Sequence, residues 1–278
     1  MIPDWEKNEV FVSSFLREWN NFEYNNIQKF LTKHSVELRT IEQTKDIWAR
    51  DYMPIQISKE EYIQFRYEPN YLKKYPKYRT IPSKIKLLEN YSVANSTLNL
   101  DGGNVVCSSD KVILTNRVFE ENKLISPKEI HKELEVLFEA EVYFVPAIKE
   151  DLTGHIDGHL RFIDNDTIIV NELKNEAEYW VDGFEEMINK SGLNVVEMPW
   201  YIDKKDSKGI SAIGSYLNYL QIKDLILFPV FEEDQELDHK CLDIIKKSPP
   251  NATIKPININ RIGKEGGLMN CITWTNYS

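Results

Sequence analysis

Val112-Ile113-Leu114, then Ser126-Pro127-Lys128-Glu129, then Val142-Tyr143-Phe144-Val145 spell out a strand, a capped helix and a second strand in succession. The two apolar runs are short and rich in β-branched or aromatic residues, as buried strands are. Between them, Ser126 has the hydroxyl of an N-cap, Pro127 suits the first helical position, and Glu129 completes a capping box. Ile130, Leu134, Leu137 and Phe138 then fall on one helical face.

The same order recurs along the chain. Val10-Phe11-Val12, Tyr62-Ile63-Gln64-Phe65, Ile168-Ile169-Val170 and Leu225-Ile226-Leu227-Phe228 are further strand candidates. With Val112–Leu114 their centres lie roughly 50 to 58 residues apart, a period typical of repeat architectures. Helical stretches follow from Phe15 to Leu31, Glu176 to Asn189 and Leu237 to Ile245, and lead to strands at Val36–Leu38, Val195-Val196 and Thr253-Ile254. The second unit differs. From Asn70 to Pro82 it carries Tyr71, Tyr75 and Tyr78, Lys73, Lys74 and Arg79, and two prolines, which predicts a long loop. Loops of that length are often lids. We expect this one to close over a binding site, with Lys73, Lys74 or Arg79 favouring a substrate carboxylate and Glu68 a distal amine.

Chemistry-bearing residues keep step with this rhythm. Asp51, Asp101, Asp157, Ser215 and Cys271 follow one another at roughly 50 to 60 residues. Residues at equivalent places in five units converge if the units surround an axis. Cys271 follows Gly266-Gly267, where crowding is low and a ligand can approach closely. His155, in Gly154-His155-Ile156-Asp157-Gly158-His159, offers a base, and Asp51 and Asp157 offer carboxylates. A nucleophile, a base and two carboxylates suit attack on a cationic carbon.

Each residue also has a plainer reading. Cys271 would serve as a small buried hydrophobe, Asp51 as the partner of Arg50 in a surface ion pair, and Asp101 as a turn former in Asp101-Gly102-Gly103-Asn104. Strand alternation would put His155, Asp157 and His159 on one face, where they could chelate zinc. A thiol with two carboxylates explains more of the chain, and we expect no metal and no cofactor. Gly209 to Tyr219 reads equally well as a plain helix, with Ser215 and Asn218 on it. No Gly-x-Ser-x-Gly elbow, phosphate loop or dinucleotide fingerprint is present.

Composition narrows the classes. The 278 residues carry a net charge of −10, which disfavours nucleic acid and mildly favours a cationic ligand. Three cysteines cannot all pair within one chain and fit a reducing compartment. No secretory signal and no membrane-spanning run is visible, so a cytoplasmic protein without membrane contact is expected.

Trp48-x-Arg50-Asp51-x-x-Pro54, Leu100-Asp101-Gly102-Gly103-Asn104, Gly154-His155-x-Asp157-Gly158-x-x-Arg161-Phe162, Ser215-Tyr216-x-Asn218 and Gly266-Gly267-x-x-Asn270-Cys271-Ile272-Thr273 occur in this order. Together they resemble the agmatine deiminases and bacterial-type peptidylarginine deiminases, guanidine-modifying enzymes. The resemblance implies one catalytic domain over 1–278, a five-bladed α/β propeller (pentein) with pseudo-fivefold repeats. It implies cofactor-free hydrolysis of a small cationic guanidino substrate, with a homo-oligomer left open. Asp51 and Asp157 would grip the guanidinium, and Trp48, Asp101 and Asn104 would also contact substrate. Cys271 would attack as a thiolate, helped by a nearby cation, and form a thiouronium. His155 would protonate ammonia and then activate water. The first substrate expected is agmatine, giving N-carbamoylputrescine in polyamine biosynthesis, with peptidyl or free arginine as the alternative. Met53 stands where the family usually has Gly, and Asp101 where agmatine deiminases commonly have Glu. From another class, the same carboxylates would also suit a propeller that binds a cation without turnover.

Overall fold

The computed structural model describes residues 1–206, 209–247 and 252–278. The strands of these residues form five three-stranded sheets of one design. The central strands are Glu9–Ser13, Glu61–Arg66, Lys111–Thr115, Thr167–Asn171 and Leu225–Pro229, and they contain the five apolar runs of the sequence. Each pairs in parallel with the strand that follows it across a crossover: Leu38–Ile41, Ser92–Asn99, Glu141–Val145, Asn194–Met198 and Thr253–Ile257. On its other edge each pairs antiparallel with a short strand: Thr273–Asn276, Ile55–Gln56, Val106–Cys107, Leu160–Phe162 and Leu220–Ile222. The first of these comes from the carboxyl-terminal segment, so Val10 opposite Thr275 closes the ring. The architecture is the five-bladed α/β propeller.

A parallel pair needs a crossover, and helices supply four of the five. Pro127–Phe138 shows why. Ser126 accepts from the Glu129 amide while Glu129 accepts from the Ser126 amide, satisfying two donors at the helix start. Ile130, Leu134 and Phe138 are fully buried against Val112, Leu114 and Val142 of the same blade. Each buried side chain contributes roughly 1.5–3 kcal/mol, more than any helix propensity in the segment. Glu178–Ser191 and Gln235–Ile245 cross the fourth and fifth blades in the same way.

The first crossover departs from expectation. Two helices, Ser14–Trp19 and Asn21–Lys33, replace the single one, because Asn20 leaves helical geometry at φ −136° and ψ 58°. Ser35 then adopts φ 59° and the Val36 amide donates to Leu31 O, so the helix cap uses residues expected in the strand, which starts at Leu38. The second crossover is the long loop predicted, built from the 3₁₀ turns Asn70–Leu72, Pro76–Tyr78, Pro82–Lys84 and Lys86–Asn90. Residues 209–219 form turns rather than a helix, and residues 155–159 form a bend and turn rather than a strand. The alternation argument for His155, Asp157 and His159 therefore fails. No helix among the described residues is long and apolar enough to cross a membrane.

The five candidate motifs occupy equivalent places. Each lies in the connector that leaves the third strand of one blade and enters the short first strand of the next. The connectors bond to one another in a ring. Arg50 N donates to Cys271 O at 3.1 Å, and Gly103 N to Asp51 Oδ1 at 3.2 Å. Asp157 N donates to Gly103 O at 3.2 Å, Ser215 Oγ to Gly158 O at 2.9 Å, and Asn270 N to Asn218 O at 3.2 Å. The common phase along the sequence is thus a common position in space.

Candidate active site

At this end of the propeller lies a cavity of about 430 Å³, lined by Cys271, His155, Asp51, Asp157, Trp48 and Asn218 among others. Asp51 sits in the single helical turn Ala49–Tyr52 and is 8% exposed. It does not pair with Arg50, whose guanidinium instead donates to Asn270 Oδ1 at 2.9 Å. Its carboxylate faces the Gly103 amide and His155 Nδ1, the latter at 3.5 Å. Gly103 is required here because a Cβ would stand 2.5 Å from His155 Nδ1 and 2.6 Å from Asp51 Oδ1.

His155 is held from its other side by Asp101, with Nε2 3.0 Å from Oδ2. Burial opposes protonation of the ring, but Asp51 and Asp101 outweigh it and hold His155 well above its ordinary range. Asp51 is also pushed up, by burial and by the negative charge of Asp101 and Asp157, although His155 pulls the other way. Both shifts favour the protonated forms of the cluster.

Cys271 sits where three asparagine and aspartate side chains meet. Asn218 Nδ2 donates to Sγ at 3.2 Å, and Asn218 Oδ1 accepts from the amides of Asn270 and Cys271 at 3.1 and 3.2 Å. The thiol points to Asp157 Oδ2 at 3.6 Å, and that oxygen also accepts from Asn270 Nδ2 at 2.7 Å. A Cβ at Gly267 would lie 2.5 Å from the Trp48 ring and 2.9 Å from Cys271 Cβ, so this glycine lets ring and thiol approach. Burial, then Asp157 and Asp51, push the thiol well above its usual pKa. Burial and these carboxylates oppose ionisation, so the cation expected to favour a thiolate has to come with the ligand.

Other expectations change as well. Asp101 does not line the cavity but lies behind His155. Asn104 is 2% exposed and spent on Thr115, accepting from its amide and hydroxyl at 2.9 Å each, so it does not reach the cavity. Gly154 takes φ 65° beside Ala147 and Arg117, a backbone conformation that favours glycine. His159 also lines the cavity, with its ring nitrogens 3.8 Å from Asp151 and 3.9 Å from Glu176, and the described residues hold no group of three or more potential ligands placed to bind a metal. Lys73 and Lys74 are exposed, and Arg79 pairs with Glu68 at 3.0 Å. Tyr71, Leu72 and Tyr78 are what the loop contributes to the cavity wall.

Asp46 is a residue that the sequence did not single out. It lines the cavity, accepts from the Thr80 hydroxyl at 2.8 Å and from the Trp48 amide at 2.9 Å, and is pushed up to about 6 by burial. Its bond to the amide two residues ahead is a local Asx pattern that marks a turn as readily as a site.

Solved structures share this architecture. The agmatine deiminase of C. jejuni superposes with a TM-score of 0.82 at 17% identity, over 100% of this chain and 95% of that one. That of Enterococcus faecalis gives 0.79 at 16%, again over 100% and 95%. A curated Listeria monocytogenes protein named "Putative agmatine deiminase 2" is 21% identical over 214 residues, 66% of this chain, and the chain spans 57% of that relative's length. The family model of Porphyromonas-type peptidyl-arginine deiminases matches residues 6–276, and the chain belongs to that family.

Proposed function

We propose that residues 1–278 form one catalytic domain that hydrolyses a guanidine without a cofactor, converting agmatine and water to N-carbamoylputrescine and ammonia. The observation that carries this reading is the convergence of Cys271, His155, Asp51 and Asp157 on one cavity whose described lining contains no Lys or Arg. A cation-binding protein needs the carboxylates but has no use for a thiol cradled by Asn218.

The guanidinium donates its paired N–H groups to Asp51 and Asp157, a planar fork matched to carboxylates. Its charge offsets theirs, and the S–H proton passes into the carboxylate–imidazole cluster as the S–C bond forms. His155 then gives a proton to one amino nitrogen, the C–N bond breaks and ammonia leaves. A thiouronium on Cys271 remains. Water adds to its carbon while His155 takes a proton, the S–C bond breaks, and the thiol and a ureido product are released.

Agmatine leads because Asp46, Asp151 and Glu265 line the same cavity and suit a distal ammonium, whereas the described lining offers the α-carboxylate of free arginine no Lys or Arg. Peptidyl arginine is the second reading. Leu152, Ile202 and Tyr78 line the cavity and are 59%, 71% and 50% exposed, an apolar rim that suits a longer substituent. Ureido formation from agmatine, free arginine and an arginyl peptide, measured side by side, tests the proposal. Agmatine should react with the highest kcat/KM, and no ureido product from any of them would overturn it.

Two further results are expected. Asp46→Asn should lower kcat/KM for agmatine about tenfold, or roughly 1.4 kcal/mol, and leave butylguanidine, which lacks the ammonium, unchanged. Equal losses on both would remove Asp46 from amine recognition. The pH dependence follows from the raised Asp51. Protonation removes the charge that binds the guanidinium, so kcat/KM should fall by about tenfold per unit on its acid side. The midpoint should lie well above the ordinary carboxylate range, near 4. A midpoint in that range would contradict the assignment.

A further inference from the structure

The loop crossing the second blade reaches the carboxylate behind His155 through one hydroxyl. Tyr71 Oη donates to Asp101 Oδ2 at 2.9 Å, the same oxygen that faces His155 Nε2 at 3.0 Å. The Tyr71 ring stands edge-on to the imidazole, with centroids 6.3 Å apart at 70°. A carboxylate oxygen has two lone-pair directions, and here each is taken by a donor. Both ends of the loop are tied down. Asn70 N donates to Glu121 Oε1 at 3.2 Å, and the Thr80 hydroxyl to Asp46 at 2.8 Å. The residues between, Lys73 to Tyr78, are exposed.

We propose that Tyr71 is a positioning residue for the reaction, which sets the orientation and proton affinity of His155 by sharing Asp101 Oδ2 with it. This rests on the reading that His155 moves protons. The groups facing that imidazole are Asp51, Asp101 and Asp157, with Asp151 further off and Tyr71 as the neutral member. A donated O–H draws charge from Asp101, so the carboxylate holds the His155 proton less tightly. Burial and Asp101 keep the Tyr71 phenol protonated, which makes it a constant donor. Without the hydroxyl, Asp101 turns its full charge on His155. The imidazole then becomes more basic, and release of its proton to the departing nitrogen becomes harder. Because Tyr71 belongs to the loop, the position of the loop is transmitted to the imidazole.

Tyr71→Phe isolates the hydroxyl, since the ring and its edge contact remain. Two readouts are needed. Titration of the His155 imidazole by NMR in the substrate-free protein should give a pKa higher than in the parent by about half a unit or more. In steady-state assays kcat should fall by about three- to tenfold, the basic limb should move to higher pH, and KM should change less than kcat. Tyr71→Ala serves as the packing control. An unshifted imidazole pKa in Tyr71→Phe overturns the proposal, whatever the activity. An unchanged pH profile in Tyr71→Phe together with a lowered kcat in Tyr71→Ala also overturns it, and reduces Tyr71 to packing. If the parent turns over no guanidine, the reading of the site fails, while the imidazole titration still decides whether Tyr71 acts on His155.

Discussion

Cys271→Ala is expected to lower kcat for agmatine by about 10⁵-fold or more while the substrate still binds. Without Sγ there is no covalent path, and neither His155 nor the carboxylates can substitute as nucleophile toward the central carbon. Binding survives because Asp51 and Asp157 stay in place, the latter still held by Asn270 Nδ2 at 2.7 Å. Affinity should even rise slightly, since the thiol proton no longer competes for Asp157 Oδ2. Calorimetry or equilibrium dialysis of the variant measures the binding half, and ureido formation measures the catalytic half. Substantial residual turnover would rule out the thiol mechanism.

Asp157→Asn should be the next most severe, for a different reason. The carboxylate is 2% exposed and is one of two that offset the guanidinium charge. Removing one partner of a buried charged pair costs about 3–5 kcal/mol, so kcat/KM should fall by roughly 10²- to 5 × 10³-fold. The near-isosteric amide keeps the volume and one acceptor for Asn270, so thermal stability should change little. The loss should appear in KM as well as kcat, because the group acts in binding and in the step. An unchanged KM would place the guanidinium elsewhere in the cavity.

The parts of the fold that could be read were those set by local chemistry. The capping box at Ser126 and the stripe through Ile130, Leu134 and Phe138 depend on neighbours in sequence, and the helix stands where the pattern put it. The central strands were legible because four contain a continuous apolar run buried on both faces, and in Glu61–Arg66 only the half-buried Gln64 interrupts it. Their short antiparallel partners were not. Val106–Cys107 and Ile55–Gln56 are two residues long and are fixed by pairing rather than by pattern. The break at Asn20 and the cap at Ser35 are backbone events that the apolar spacing does not register.

The site divides in the same way. The common phase of Asp51, Asp101, Asp157, Ser215 and Cys271 reported the blade connectors faithfully. What phase does not carry is the direction of a side chain. Asn104 shares a motif with Asp101 yet turns to Thr115, and His159 shares one with His155 yet turns to Asp151. Nor does it carry field strength. Burial, and then the carboxylates around Cys271, suppress its ionisation, a result of three connectors meeting that none of them shows alone. Asp46 and Tyr71 lay outside the repeat phase and gained meaning only when Thr80 and Asp101 were found beside them.

The central claim is a covalent intermediate on Cys271, and intact-protein mass spectrometry after rapid acid quench tests it most directly. During turnover of agmatine by His155→Asn, in which water activation is impaired, a species heavier by agmatine less ammonia should accumulate. Peptide mapping should place it on Cys271, with Cys107 and the fully buried Cys241 unmodified. Ureido product formed by the parent protein, with no adduct in either the parent or the variant at any quench time or an adduct mapped to another residue, would contradict the account.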